Sequence, residues 1–229
     1  MLVSEFITRY RYKKLYHMAE DGSWPNIREH GLLSITALLD KWEYSGKERE
    51  AIECRWRPSR VTIYHPKYGK AVIRDQKAIK PERLKKCLPE DISVEEWCKF
   101  INKRVFFWGD WTGLKRFLSA NEYIHKPHLV ITVNPLPLIK QYESQIALSD
   151  INTGSTWPKK GRAEPEPRSF STFKRIQNYQ YPYVNELAVD YGVPDIVTYT
   201  YSVRRLIAHK KGDDNEPEEL EILWQPKAQ

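Results

Sequence analysis

Cysteine is scarce in this chain: three residues in 229, Cys54, Cys87 and Cys98. Odd in number and far apart, they build neither a disulfide framework nor a zinc ligand set, and they fit a reducing, cytoplasmic compartment. Long apolar runs are missing too, so no membrane span is expected. Met1-Leu2-Val3-Ser4-Glu5 lacks the basic start, apolar core and small-residue cleavage site of a secretory signal. There is no G-x-G-x-x-G and no P-loop, which argues against Rossmann and Walker nucleotide sites. His17, His30, His65, His125, His128 and His209 form no H-E-x-x-H and no Cys-paired spacing, so no metal is expected. No serine stands in a nucleophile-elbow context, and the chain has no internal repeat.

Aromatics are plentiful instead. Eight Trp and 14 Tyr stand in a sequence that is 41% hydrophobic, more ring than packing alone requires. The length suits one domain with a small extension. Charge divides the chain at about residue 211. The segment 212–229 holds six acids and one base, which leaves 36 bases against 24 acids, a formal +12, on residues 1–211. We therefore expect a main domain over 1–211 and an acidic extension over 212–229 that completes a terminal hairpin. A basic body attracts polyanions, either nucleic acid or a pyrophosphate. A solvated basic surface explains the same composition equally well.

Local patterns give the elements. Helices are expected at Ser4–Arg9, Pro25–Glu29 with a Gly31 stop, Ile35–Trp42, Pro81–Cys87 and Thr112–Ala120. Ser93-Val94-Glu95-Glu96 is a capping box before a further helix through Trp97 and Ile101. Strands are expected at Leu15–Met18, Val105–Trp108, His128–Val133 (stopped by Pro135 and Pro137), Val184–Val189 and Val197–Ile207. Val61–Tyr64 and Ala71–Arg74 form one hairpin, and Glu219–Trp224 pairs with Val197–Ile207 in another. Residues 149–182 read as a long loop rich in Pro and Gly, a length that is functional or disordered. Helices come early and strands late, so the fold class is α+β.

Several short motifs stand out: Tyr16-His17-Met18, His30-Gly31-Leu32-Leu33-Ser34, Arg74-Asp75-Gln76, Arg104 to Trp108, Ile151-Asn152-Thr153-Gly154, Asn185 to Val189, and Val193-Pro194-Asp195-Ile196. Together they resemble an uncharacterised bacterial family that is similar to the ADP-ribosyltransferase superfamily, in particular DarT-type DNA-modifying toxins, and more distantly to RNA 2′-phosphotransferases. The resemblance spans most of Leu15 to Ile196. It implies a split central β-sheet with flanking helices, NAD as substrate and no metal. Breaking the nicotinamide bond puts positive charge on the ribose, as in glycoside hydrolysis. A nearby carboxylate stabilises that charge.

Residue by residue, the resemblance makes Glu186 the catalytic glutamate and His17, beside Tyr16, the ribose anchor. Phe106, Phe107 and Trp108 become the nicotinamide wall, without deciding which ring faces it. Arg74 is the favoured phosphate ligand. Each has a plainer reading: a strand-end Glu, a core His, an apolar strand, a local ion pair. Arg55 and Arg57 flank Trp56, and Lys159, Lys160, Arg162, Arg168 and Phe173 mix bases with rings, a pattern suited to single-stranded RNA or DNA. The implied activity is modification of a nucleic-acid base by a toxin of a toxin–antitoxin or phage-defence system, with an antitoxin or inhibitor protein as partner. Three alternatives stay open. One is transfer to protein, or bare NAD hydrolysis. Another is a non-catalytic nucleic-acid-binding module. The third is a metal-free nuclease pairing His17 with His65 or His128, since acid–base catalysis needs only geometry.

Overall fold

A computed structural model describes residues 3–57, 59–74, 79–158, 161–211 and 216–226. Asp75, Gln76, Lys159, Lys160 and residues 212–215 and 227–229 lie outside that set. The fold is α+β. Helix α1 (Val3–Tyr10) leads into strand β1 (Leu15–Glu20) and α2 (Trp24–His30). Gly31 ends α2 with φ +91°, and a Cβ there would lie 2.4 Å from Pro194 Cα, so only glycine fits. The short β2 (Leu32–Leu33) follows, then α3 (Ile35–Lys41), whose N-cap Ser34 accepts from Ala37 N–H at 3.2 Å.

A helical and hairpin layer comes next: α4 (Gly46–Glu53), β3 (Val61–His65), β4 (Gly69–Ile73), α5 (Pro81–Lys85) and α6 (Val94–Asn102). The Ser93–Glu96 capping box closes in both directions at the start of α6. Then follow β5 (Arg104–Phe107), α7 (Trp111–Leu118) and β6 (Pro127–Val133). Pro135 does not simply stop β6; it occupies the first turn of α8 (Pro135–Gln141), where a missing N–H costs nothing. β7 (Ile146–Ser149) and β8 (Glu186–Asp190) flank the long segment, and β9 (Gly192–Val193) follows. The strand expected from Val197 starts later. Residues Ile196–Tyr199 form a helical turn, α9, before β10 (Thr200–Ile207) and its hairpin partner β11 (Glu218–Trp224).

Two antiparallel sheets carry the core. One has the order β1-β6-β10-β11, the other β5-β8-β7. The acidic extension thus contributes the outermost strand of the larger sheet. The sheets meet at one reciprocal pair: Tyr16 N–H donates to Trp108 O at 2.9 Å, and Trp108 N–H to Tyr16 O at 2.8 Å. Alternation along β1 then splits its side chains between two cores. Leu15 and Ala19 join the main one with Phe107, Ile131 and Leu187. Met18, with Tyr16 packed beside it, joins another under α7 with Leu114 and Leu118.

The long segment is tied down. Leu148 and Lys174 exchange backbone bonds of 2.9 Å, and Ile176 is fully buried. Among the described residues, no helix is long and apolar enough to cross a membrane.

Candidate functional site

A cavity of about 400 Å³ opens where β1 and β5 part, roofed by the α3–α6 layer. Its size is in the range of small-molecule sites. His17 and Glu186 both line it, with Phe106, Arg74, Thr153 and Trp56.

His17 sits one residue past the reciprocal pair. A continued antiparallel ladder would give the Phe106 carbonyl to the Met18 N–H. The imidazole Nδ1 takes that carbonyl instead, at 2.9 Å. A carbonyl only accepts, so Nδ1 carries the proton and Nε2 is left as an acceptor. Burial lowers the His17 pKa from its ordinary 6.5 to about 4, opposed by the Phe106 bond and assisted by Arg74. The ring is therefore neutral near pH 7, suited to receiving a hydroxyl proton donor.

Glu186 opens β8, in register with Ser149 of β7. It shares a face of the smaller sheet with Ala188, and Ala188 faces Phe106 across the β5–β8 pair. Thr153 N–H donates to Oε1 at 2.8 Å and the Thr153 hydroxyl to Oε2 at 2.7 Å. Burial raises the carboxyl pKa from its ordinary 4.5 to about 7; the Thr153 bonds, Arg168 and the Gly154 N–H pull the other way. A carboxyl so tuned titrates where proton transfer at neutral pH is efficient.

The three rings of 104–108 separate. Phe106 lines the cavity. Phe107 is buried in the main core, and Trp108 packs on Phe117 at 5.0 Å. Tyr16 points to the same side as Trp108 and packs on Trp111 at 5.4 Å, so it does not line the cavity. Alternation separates Phe106 from Phe107, since neighbours on one strand face opposite sides, whereas Trp108 leaves the cavity because it lies beyond the end of β5, where the chain bridges to Tyr16. Arg74 lines the cavity but is engaged. Its Nη1 donates to Glu20 and to His128 Nδ1, both at 3.1 Å, and the group lies over the Tyr123 ring. Arg74 Nη2 and Trp56 Nε1 are buried donors with no hydrogen-bond partner among the described residues. Such donors fit an acceptor-rich ligand, since leaving them empty costs about 1–3 kcal/mol each.

The expected nucleic-acid contacts divide more sharply. Arg55 is exposed and lines the cavity, while Arg162 is exposed and pairs with Glu166 at 3.5 Å. Arg57 is 5% exposed and donates to Ile52 O and Asn102 Oδ1; it belongs to the inner wall of the cavity rather than to the outer surface. Arg168, at 3% exposed, is internal: it donates to Thr153 O at 2.6 Å and Ser155 O at 2.7 Å. Phe173 packs between Phe106 and Phe100 under Arg104 rather than standing free. His65 and His128 are both absent from the cavity wall, and His128 is buried with Nε2 on Tyr123 O, so neither faces His17 across the cavity. No group of three or more His, Cys, Asp or Glu among the described residues could hold a metal.

Thr153 stands in the Ile151-Asn152-Thr153-Gly154 motif, but nothing in the sequence marks it as the partner of Glu186. Asp195, another motif residue, bridges the hydroxyls of Tyr142 and Tyr199 (the latter at 2.6 Å) and locks α8 to α9 away from the cavity. No curated protein and no solved structure matches this chain. Residues 13–200 match a family described as a family of unknown function, DUF7002, and the chain belongs to that family.

Proposed function

We propose that the cavity binds NAD and that the protein is a mono-ADP-ribosyltransferase of the split-sheet kind. The observation that carries this reading is the convergence of His17, Phe106 and Glu186 on one cavity at the break between two antiparallel sheets. His17 Nε2 accepts a ribose hydroxyl, and the Phe106 ring offers an apolar face to nicotinamide. Arg74 supplies positive charge for the pyrophosphate. NAD brings an activated bond whose leaving group is neutral nicotinamide. The Glu186 carboxylate, aimed at the ribose, favours the charge that develops as that bond opens. Its ionised form is required, and a cationic pyridinium nearby favours that form.

The proposed acceptor is a base in single-stranded RNA or DNA, drawn by the basic body and by Arg55 at the cavity. A second reading, NAD hydrolysis or transfer to protein, gains from the burial of Arg168 away from the cavity wall, which removes one of the expected nucleic-acid contacts. A role in a toxin–antitoxin or phage-defence module, with an inhibitor protein, belongs to the proposal through the resemblance alone, and a cytoplasmic setting through the three scattered cysteines. The test is incubation with labelled NAD and separate pools of RNA, single-stranded DNA and protein, beside Glu186→Gln. Release of nicotinamide with label on single-stranded nucleic acid supports the proposal. Label on protein alone, or NAD loss indifferent to all pools, overturns the acceptor. Intact NAD in every pool overturns the activity.

A further inference from the structure

We propose that Thr153 and Arg168 are positioning residues for Glu186: Arg168 holds the Thr153–Ser155 turn by its carbonyls, and Thr153 in turn holds the carboxylate by both oxygens. This rests on the reading of Glu186 as the catalytic acid.

The geometry is a two-step relay. Arg168 Nη1 donates to Thr153 O at 2.6 Å, and Nη2 to Ser155 O at 2.7 Å and Glu166 O at 3.3 Å. Its backbone N–H donates to Cys87 O at 2.8 Å, which anchors the arginine to the end of α5. With its carbonyl taken from behind, Thr153 turns its N–H and its hydroxyl on Oε1 and Oε2 of Glu186. A carboxylate accepts about four hydrogen bonds. This grip leaves room for a substrate hydroxyl while fixing the plane of the group.

Burying a guanidinium costs several kcal/mol unless an opposite charge answers it. The hydrogen bonds that Arg168 makes here go to carbonyls, which neutral donors could serve as well. The acids that feel its charge are Glu186 and Glu166, together with the Cys87 thiol. From β5, Arg104 also feels Glu186, although its own ion pair is with Asp190 at 2.9 Å. Two buried or half-buried cations, Arg104 from β5 and Arg168 from the long segment, thus favour the ionised carboxyl against its burial.

Thr153→Val removes the hydroxyl while keeping the shape. Arg168→Lys keeps charge but loses the fork that spans two carbonyls. Both are read by the ¹³C carboxyl titration of Glu186, assigned with Glu186→Gln, and by the pH profile of NAD consumption. Thr153→Val moves the titration midpoint up by about one unit, as losing a hydrogen bond to a charged group predicts. The acid limb of the NAD profile moves with it, kcat falls and KM for NAD holds. Thr153→Ser restores the midpoint, and Arg168→Lys shifts it upward by less. An unmoved midpoint in both Thr153→Val and Arg168→Lys, even with a lowered Tm, overturns the proposal. Should the wild type leave NAD intact, the carboxyl titration still decides on Thr153 and Arg168, and only the assigned reaction falls.

Discussion

The two walls of the cavity solve the same electrostatic problem differently. On the β1 side, His17 is half-buried with one backbone carbonyl as its hydrogen-bond partner, and burial drives its pKa down to about 4. On the β8 side, Glu186 is gripped by Thr153 from a distant loop, and burial drives its pKa up to about 7. Burial pushes both groups toward neutrality. At the histidine one hydrogen bond to Phe106 resists the push while the Arg74 charge reinforces it, whereas at the carboxyl both the donors and the Arg168 charge resist it. The histidine wall is built to stay neutral, whereas the glutamate wall is built to be ionised on demand.

That contrast predicts unequal losses. Glu186→Gln keeps the Thr153 contacts partly intact but abolishes the charge. NAD turnover should fall about 10²–10³-fold, the scale seen when one well-aimed electrostatic group is removed, with NAD binding retained. Steady-state kinetics with an independent NAD binding curve checks it; a Gln variant with wild-type kcat would make the two walls equivalent. His17→Ala should act on binding instead, because a neutral acceptor contributes to ground and transition states alike. It also leaves the Phe106 carbonyl without its donor. Affinity for NAD should drop about 10- to 100-fold, consistent with an unmet hydrogen bond of about 1–3 kcal/mol.

The walls are joined through Gly31. The chain leaving β8 returns as Gly192-Val193-Pro194 to pair with Leu32-Leu33, which follow α2. A methyl at residue 31 meets Pro194 Cα at 2.4 Å and O at 2.7 Å, and the φ of +91° disfavours any side chain. Gly31→Ala should cost about 1–3 kcal/mol of stability, measured by urea unfolding. Because this contact links the walls, NAD affinity and turnover should decline together, unlike in either single-wall variant.

How far these walls could be read in advance follows from the range of the forces that build them. The β1 strand, the Gly31 stop, the Ser93 capping box and the hairpin at 61–74 depend on neighbours a few residues apart, and the sequence displays them. The α+β class follows from the same signals. Pro135 misleads because a strand stop and a helix first turn use the same residue. Ile196–Tyr199 looks extended by its β-branched residues, yet Asp195 and the tyrosines hold it in a helical turn. Periodicity announces that the 105–108 run alternates but not its phase, so the choice of Phe106 over Phe107 waits on tertiary structure. Arg168 and Arg57 look like surface bases. Their partners include Thr153, 15 residues away, and Asn102, 45 residues away, contacts that no local pattern encodes.

The smallest effect separates the walls most cleanly. Between pH 4.5 and about 7, native Glu186 keeps a proton that the unfolded chain has lost, so its contribution to stability is present at low pH and declines as pH rises. Between about 4 and 6.5, unfolded His17 holds a proton that the native state rejects, so its contribution is present above 6.5 and is lost as pH falls. Over the shared window the two slopes oppose, each no steeper than about 1.4 kcal/mol per pH unit. Glu186→Gln should therefore unmask a stability that climbs from pH 4.5 to 6.5 relative to wild type, and His17→Gln one that declines. Urea midpoints at half-unit steps resolve the signs. Slopes of the same sign in both variants would mean that burial does not act on the two groups in opposite directions, and the contrast between the walls would collapse.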